Sequence, residues 1–388
     1  MGARKQVILI MSSWLNEIMI RERFKPRILS RLLIMLFLSG GFLWLMNSAK
    51  LLNWTLFRDA FSGGGALLFL IATILIIMPL LGAAKHYFIL RALYPYLRFF
   101  DVLLSGVIGQ AIGQWVPGSM AVTEIVRFGL VARLGAGQNA RGESTIQPLT
   151  KGEIGLSILL DRLIGFAMML IVSGAVALML LAQKDTVVRS PIILLGPAVI
   201  SLAAGGGLLM MLFLPRTLPY LRLSRHIGKK AAQYSQRISA NVKTNKLRGK
   251  SWLRVFSLME MIEAVTSRRG GLTVPLLISL VLTALNPITF YLSARAIGRS
   301  LPLSAILVAV PFTVFSLFLP LGIAGFGGQQ LMVAGVFSMF RVSPEVVVAS
   351  SLVLNTIALA TYTLCGGIGA VFAIERMSTA RIKRLDRL

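Results

Sequence analysis

Four ionisable side chains lie inside otherwise apolar stretches: Glu124 and Arg127, three residues apart, and the neighbours Asp161 and Arg162. A charge in hydrocarbon is costly unless it is paired or wetted, so each is a candidate contact for a polar ligand group. Each also has a plainer reading. Glu124 and Arg127 have the spacing of an ion pair on one helix face, while Asp161 and Arg162 read more readily as a packing pair or as side chains snorkelling to the interface. The chemistry on offer is electrostatic recognition. Asp59, Asp101, Asp161, Asp185 and Asp386 are too dispersed to form the paired carboxylates that hold Mg²⁺ against a phosphate. The sequence contains no G-x-x-x-x-G-K-[ST] loop for a nucleotide. Cys365 is the one cysteine, and His86 and His226, the only histidines, read as residues of basic loops. No catalytic residue, metal or cofactor is expected.

The backbone offers a second kind of chemistry. An apolar stretch over 102–134 breaks at Pro117 and Gly118, and another over 303–340 breaks at Pro320 and a glycine run, Gly322, Gly325, Gly327 and Gly328. Arms of about 15 residues reach about 22 Å as helices, short of a hydrocarbon core of about 30 Å. Each stretch therefore reads as a re-entrant hairpin. Arg127 and Gln330 each stand ten residues past the proline of their segment, and paired broken segments of opposite topology suit an inverted-repeat transporter. Two full-spanning helical pairs are the alternative. Half-helices starting in mid-bilayer would aim free N–H groups and a positive dipole end at an anion. Ser119, Thr123, Gln329 and Gln330 either add donors there or cap the broken backbone. Gly109 and Gly113 form a G-x-x-x-G that reads as close helix packing, flanked by Gln110 and Gln114. Asn286 and Asn355 are lone polar residues within apolar runs.

What must position these groups is a membrane protein. The 388 residues are 56% hydrophobic and only 14% charged, with a mean hydropathy of +0.79. Lys and Arg number 40 against 14 Asp and Glu, a formal charge of +26. A soluble chain with that excess would suggest nucleic acid. Here the basic residues crowd the loops between apolar runs, as cytoplasmic loops do, so nucleic acid is not an expected partner. Runs at 28–46, 66–84, 155–182, 192–214, 273–292 and 346–372 each approach the length of a spanning helix. The fold expected is all-α and polytopic, about six transmembrane helices plus two re-entrant helical hairpins of opposite orientation. Residues 1–27 read as a basic amphipathic cytoplasmic segment, 28–374 as the transmembrane domain with a basic cytoplasmic loop at 215–271, and 375–388 as a basic cytoplasmic tail. Both termini then face the cytoplasm.

Three stretches carry a resemblance: Val116 to Arg127, Ser157 to Gly165, and Leu319 to Gln330. In this order they look like the signature stretches of the flippase-like transmembrane region of lysylphosphatidylglycerol synthases, with stand-alone hopanoid-associated and YbhN-like relatives. The likeness covers roughly 28–374. Two departures stand out: the spacing from proline to Glu124 looks expanded, and Gln329-Gln330 replaces a common Arg-Glu pair. In the family the aminoacyltransferase activity lies in a separate soluble domain after the membrane region, and this chain ends shortly after its last span. The resemblance thus implies lipid translocation without lysine transfer, in a bacterial inner membrane. The substrate expected is an anionic, aminoacylated or polyprenyl- or hopanoid-type lipid. An intramembrane lipid-modifying transferase and a scaffold of a lipid-synthesis complex are the competing functions. Expected partners are membrane lipids, anionic headgroups at the basic loop, and a second copy of the chain or a lipid-synthesis enzyme.

Overall fold

The computed structural model describes residues 50–116, 119–139, 150–182, 191–217, 272–314, 322–323 and 326–385, with isolated positions between 37 and 48 and at 265. The expected first span at 28–46, the segment 1–27, nearly all of the basic loop, and Pro117, Gly118, Pro320 and Gly325 lie outside the described residues.

The described chain is helical. In order the helices are α1 (Trp54–Gly63), α2 (Gly65–Leu93), α3 (Phe99–Trp115), α4 (Ser119–Asn139), α5 (Lys151–Ala182), α6 (Pro191–Thr217), α7 (Thr273–Ala296), α8 (Leu303–Val314), α9 (Gly328–Phe337) and α10 (Pro344–Leu385). Five of them, α2, α5, α6, α7 and α10, are long and apolar enough to cross a membrane. The protein is a polytopic membrane protein. Their outward faces carry large apolar side chains such as Phe69, Ile200, Leu277 and Val371, a burden that lipid relieves and water does not.

Helix ends follow local chemistry. Tyr94 and Val116 both precede a proline, and both leave the helix for extended backbone, with ψ of 91° and 138°, because the proline ring disfavours the helical region for the residue before it. Asn53 caps α1 by accepting from Leu56 N at 3.3 Å.

Both broken stretches form helical pairs, as expected from their prolines and glycines. The first is α3 against α4. Their contact is set by the G-x-x-x-G: a Cβ on Gly109 would meet Thr123 O at 2.9 Å, and one on Gly113 would meet Ser119 O at 2.6 Å. The second pair is α8 and α9, whose described parts are 12 and 10 residues, about 18 and 15 Å long. The sequence reading contains no strands. The turn of this pair nevertheless includes a two-residue antiparallel ladder, Gly322 facing Gly327 and Ile323 facing Phe326.

Helix α10 carries both pairs and fixes their depth. Along α3 it is met at Asp101 by Arg376, at Ile108 by Gly369, at Ala111 by Gly366, and at Trp115, whose Nε1 donates to Thr363 Oγ1 at 2.9 Å. The two helices therefore run antiparallel in register, and the first pair ends beside Thr363. From Thr363 to Pro344 α10 continues for about 28 Å more. The second pair occupies that far part: Asn355 Nδ2 donates to Gln329 Oε1 at 3.3 Å, and Leu331 and Ala334 pack with Leu352 and Val348. The pairs thus approach from opposite ends of one helix. The two hydrogen bonds that mark the pairs on α10, at Asn355 and at Thr363, lie about 12 Å apart along it.

Four boundaries differ from the sequence reading. Helix α4 runs past 134 to Asn139, and its 21 residues, about 32 Å, exceed the arm of about 15 residues expected there. Helix α2 runs on to Leu93, so Lys85 and His86 are helical and buried, not loop residues. Nothing breaks the helix before Pro95, and Ile89, Leu90 and Ala92 continue the buried face. Helix α5 begins at Lys151, and α10 runs unbroken to Leu385.

Candidate functional site

A cavity of about 380 Å³ lies where the two helical pairs face each other. Its walls come from α2, α3, α4, α5, α7, α9 and α10, and its volume falls at the small end of the range for ligand sites. The stretch of α10 from Asn355 towards Thr363 contributes Asn355, Ala358 and Tyr362. Gln110 and Gln114 of α3 line it, as do Ser119 and Thr123 of α4, Asn286 of α7 and Gln329 of α9. Pro79 and Pro287 sit within α2 and α7. A proline inside a helix frees the carbonyl four residues back, and those residues, Leu75 and Thr283, are also on the wall.

One wall is charged. Lys85, Arg127 and Asp161 are 6%, 6% and 3% exposed. Lys85 Nζ lies 3.1 Å from Asp161 Oδ1 and donates to Asp161 O at 3.0 Å. Arg127 Nη1 lies 3.4 Å from Asp161 Oδ2 and 3.0 Å from Glu124 Oε2. Arg162, less buried, also pairs with Glu124. Three helices thus supply one network: α2 gives Lys85, α4 gives Glu124 and Arg127, and α5 gives Asp161 and Arg162. Removing one partner from a buried network leaves a charge uncompensated. The pairs considered separately in the sequence, Glu124 with Arg127 and Asp161 with Arg162, belong to one cluster.

His86 sits behind this wall, fully buried. Its Nε2 lies 3.1 Å from Ser157 Oγ, and that hydroxyl donates to Ile154 O at 2.8 Å. The hydroxyl has one proton, so it accepts from His86, which carries hydrogen on Nε2. His86 Nδ1 has no hydrogen-bond partner among the described residues.

Of the residues singled out in the sequence, Arg127, Asp161, Arg162 and Gln329 line the cavity. Glu124 holds two of the cations on its wall. Gln330 is fully buried but is not on the wall. Gly327 lies in the ladder, and Gly328 opens α9. Lys85 is the functional candidate that sequence reading missed. Its signal was the helical spacing of Ala83, His86, Ile89 and Leu90 around it, hidden because Lys85 was grouped with Arg91 and Arg98 as a basic segment between apolar runs.

A family model described as the lysylphosphatidylglycerol synthase TM region matches residues 32–366. No curated protein and no solved structure matches the chain. With that match covering most of its length, the paired short helices and all three signature stretches included, the chain belongs to the family of the lysylphosphatidylglycerol synthase transmembrane region.

Proposed function

We propose that this protein moves lipids across a bacterial inner membrane as a flippase. The observation that supports this most is the cavity between two helical pairs that approach from opposite ends of α10. Each pair is a re-entrant hairpin on this reading, the first entered from the cytoplasm and the second from the outer side. Irregular backbone at such depth is tolerated where it lines a polar cavity. A headgroup would occupy the cavity, and the lipid chains would stay among the exposed apolar side chains of the outer helices. Membrane lipids are then the partners, with anionic lipids at the basic cytoplasmic loop.

The test is transport by the purified full-length protein in liposomes carrying headgroup-labelled lipids, read by quenching of label on the outer leaflet. Gly82→Phe supplies the control. Gly82 lines the cavity, and an added Cβ there meets nothing within 4 Å, so the ring enters the cavity without moving the backbone. Transport should fall to the protein-free rate in this variant while the melting temperature holds. Equal transport by wild type and Gly82→Phe, or none by wild type with any lipid class, would refute the reading.

A further inference from the structure

The charged wall does not balance. Among the described residues of the cluster, Lys85, Arg127 and Arg162 are cations, and Glu124 and Asp161 are the carboxylates that hold them. His86, the remaining titratable group packed there, is counted as the neutral imidazole ordinary at pH 7. One positive charge is left over. An uncompensated charge in a low-dielectric site is expensive, and an anion in the adjoining cavity would remove the expense. Arg127 and Arg162 both line the cavity, so their guanidinium charge faces that space; the Nε of each is shielded from solvent and has no acceptor among the described residues. Arg127 is the more deeply buried of the two, at 6% exposed, and lies on the cavity wall. Further along the same helix Ser119 opens α4 on the cavity wall, placing a helix N-terminus, with its positive dipole end, over the same space.

We propose that the cavity binds a phosphate group of net charge minus one, carried on a lipid headgroup, through Arg127 and Arg162. The proposal rests on the flippase reading for its lipid and on the charge count for its anion. It divides the substrate classes. A lipid with a single net negative charge completes the cluster. An aminoacylated lipid brings a cation beside three cations, and a neutral hopanoid brings nothing to balance. Zwitterionic phosphatidylcholine has the phosphate but not the net charge, which makes it the right comparison.

The experiment measures binding to the full-length protein in detergent micelles by native mass spectrometry and calorimetry, with short-chain phosphatidylglycerol, short-chain phosphatidylcholine and free glycerol phosphate as probes. Wild type should bind one phosphatidylglycerol and prefer it over phosphatidylcholine by about tenfold or more. That is the order expected from one unit charge within roughly 10 Å at an effective dielectric near 20. Arg162→Gln balances the cluster without the ligand, and the preference should collapse. The double variant Glu124→Gln with Arg162→Gln leaves Lys85 and Arg127 against Asp161, one positive charge over, and the preference should return. Equal binding of the two lipids by wild type, or a double variant as unselective as Arg162→Gln, would overturn the charge count. Glycerol phosphate binding as tightly as the lipid would overturn the lipid assignment. Charge-selective binding without transport would instead retire the flippase reading and leave this site standing.

Discussion

Asp161 is the residue on which the buried network turns, so Asp161→Asn has a calculable outcome. Its carboxylate lies 3.1 Å from Lys85 and 3.4 Å from Arg127, and all three side chains are buried. Breaking a buried pair from one side costs about 3–5 kcal/mol, mostly because the partner stays behind as a lone charge. Here two cations stay behind. The introduced amide would still accept a hydrogen bond, which trims the loss, so about 3 kcal/mol is the working figure. Lys85→Met removes the nearer cation and fills similar volume with apolar atoms. The pair Lys85→Met with Asp161→Asn should therefore recover about 2 kcal/mol of that loss, since apolar replacement of a whole buried pair is close to neutral. The assay is thermal unfolding of the four proteins in one detergent, followed by tryptophan fluorescence and by loss of the monodisperse peak. The order expected is wild type, then the double variant, then Asp161→Asn lowest. A double variant no better than Asp161→Asn would show that the two residues do not interact, and wild-type melting of Asp161→Asn would show that the site is wet and the charges are independent.

Three further outcomes follow from packing and topology. Gly366→Val should disrupt the seat of the first pair, since even a Cβ there would collide with Ala111 Cβ, while Gly367→Val, with nothing within 4 Å, should fold normally; detergent-resistant folded yield reads the difference. Single cysteines in a Cys365→Ser background, labelled on spheroplasts with an impermeant thiol reagent, should be unreactive from outside at 135–153 and 375–388 and reactive near Arg299, between α7 and α8. In the second pair, Gly327→Val at the ladder should impair transport with the protein still inserted, whereas Gly335→Val, with open space at its Cβ, should be tolerated.

The broken helices were readable because proline and glycine act on the backbone directly: Pro117 ends α3 through Val116, whatever the tertiary context. Glu124, Arg127, Asp161 and Arg162 were readable because ionisable groups in apolar runs are rare. Their joining into one cluster was not readable, since it depends on how α2, α4 and α5 sit side by side. Lys85 escaped for the opposite reason. Arg91 and Arg98 follow it before the next apolar stretch, so it was read with them as a loop, and only the burial of the helix face around His86 and Ile89 shows that α2 continues. The antiparallel register of α3 along α10 was likewise hidden. It rests on Gly366 and Gly369, small residues that are commonplace in membrane helices until a partner is placed against them.

Helix α10 has the role of a ruler. Both helical pairs are seated on it, one through Trp115 at Thr363 and the other through Gln329 at Asn355, and on the flippase reading the size of the headgroup space would follow the length of helix between those marks. Side chains along this interval are free to vary in polarity, and different lipids would select different ones. Its length is not free. One residue added there would lengthen the gap by only about 1.5 Å but would turn one mark about 100° away from the other, so the two pairs would no longer face the same space. Divergence among relatives is thus expected to rewrite the letters between Asn355 and Thr363 while keeping their number.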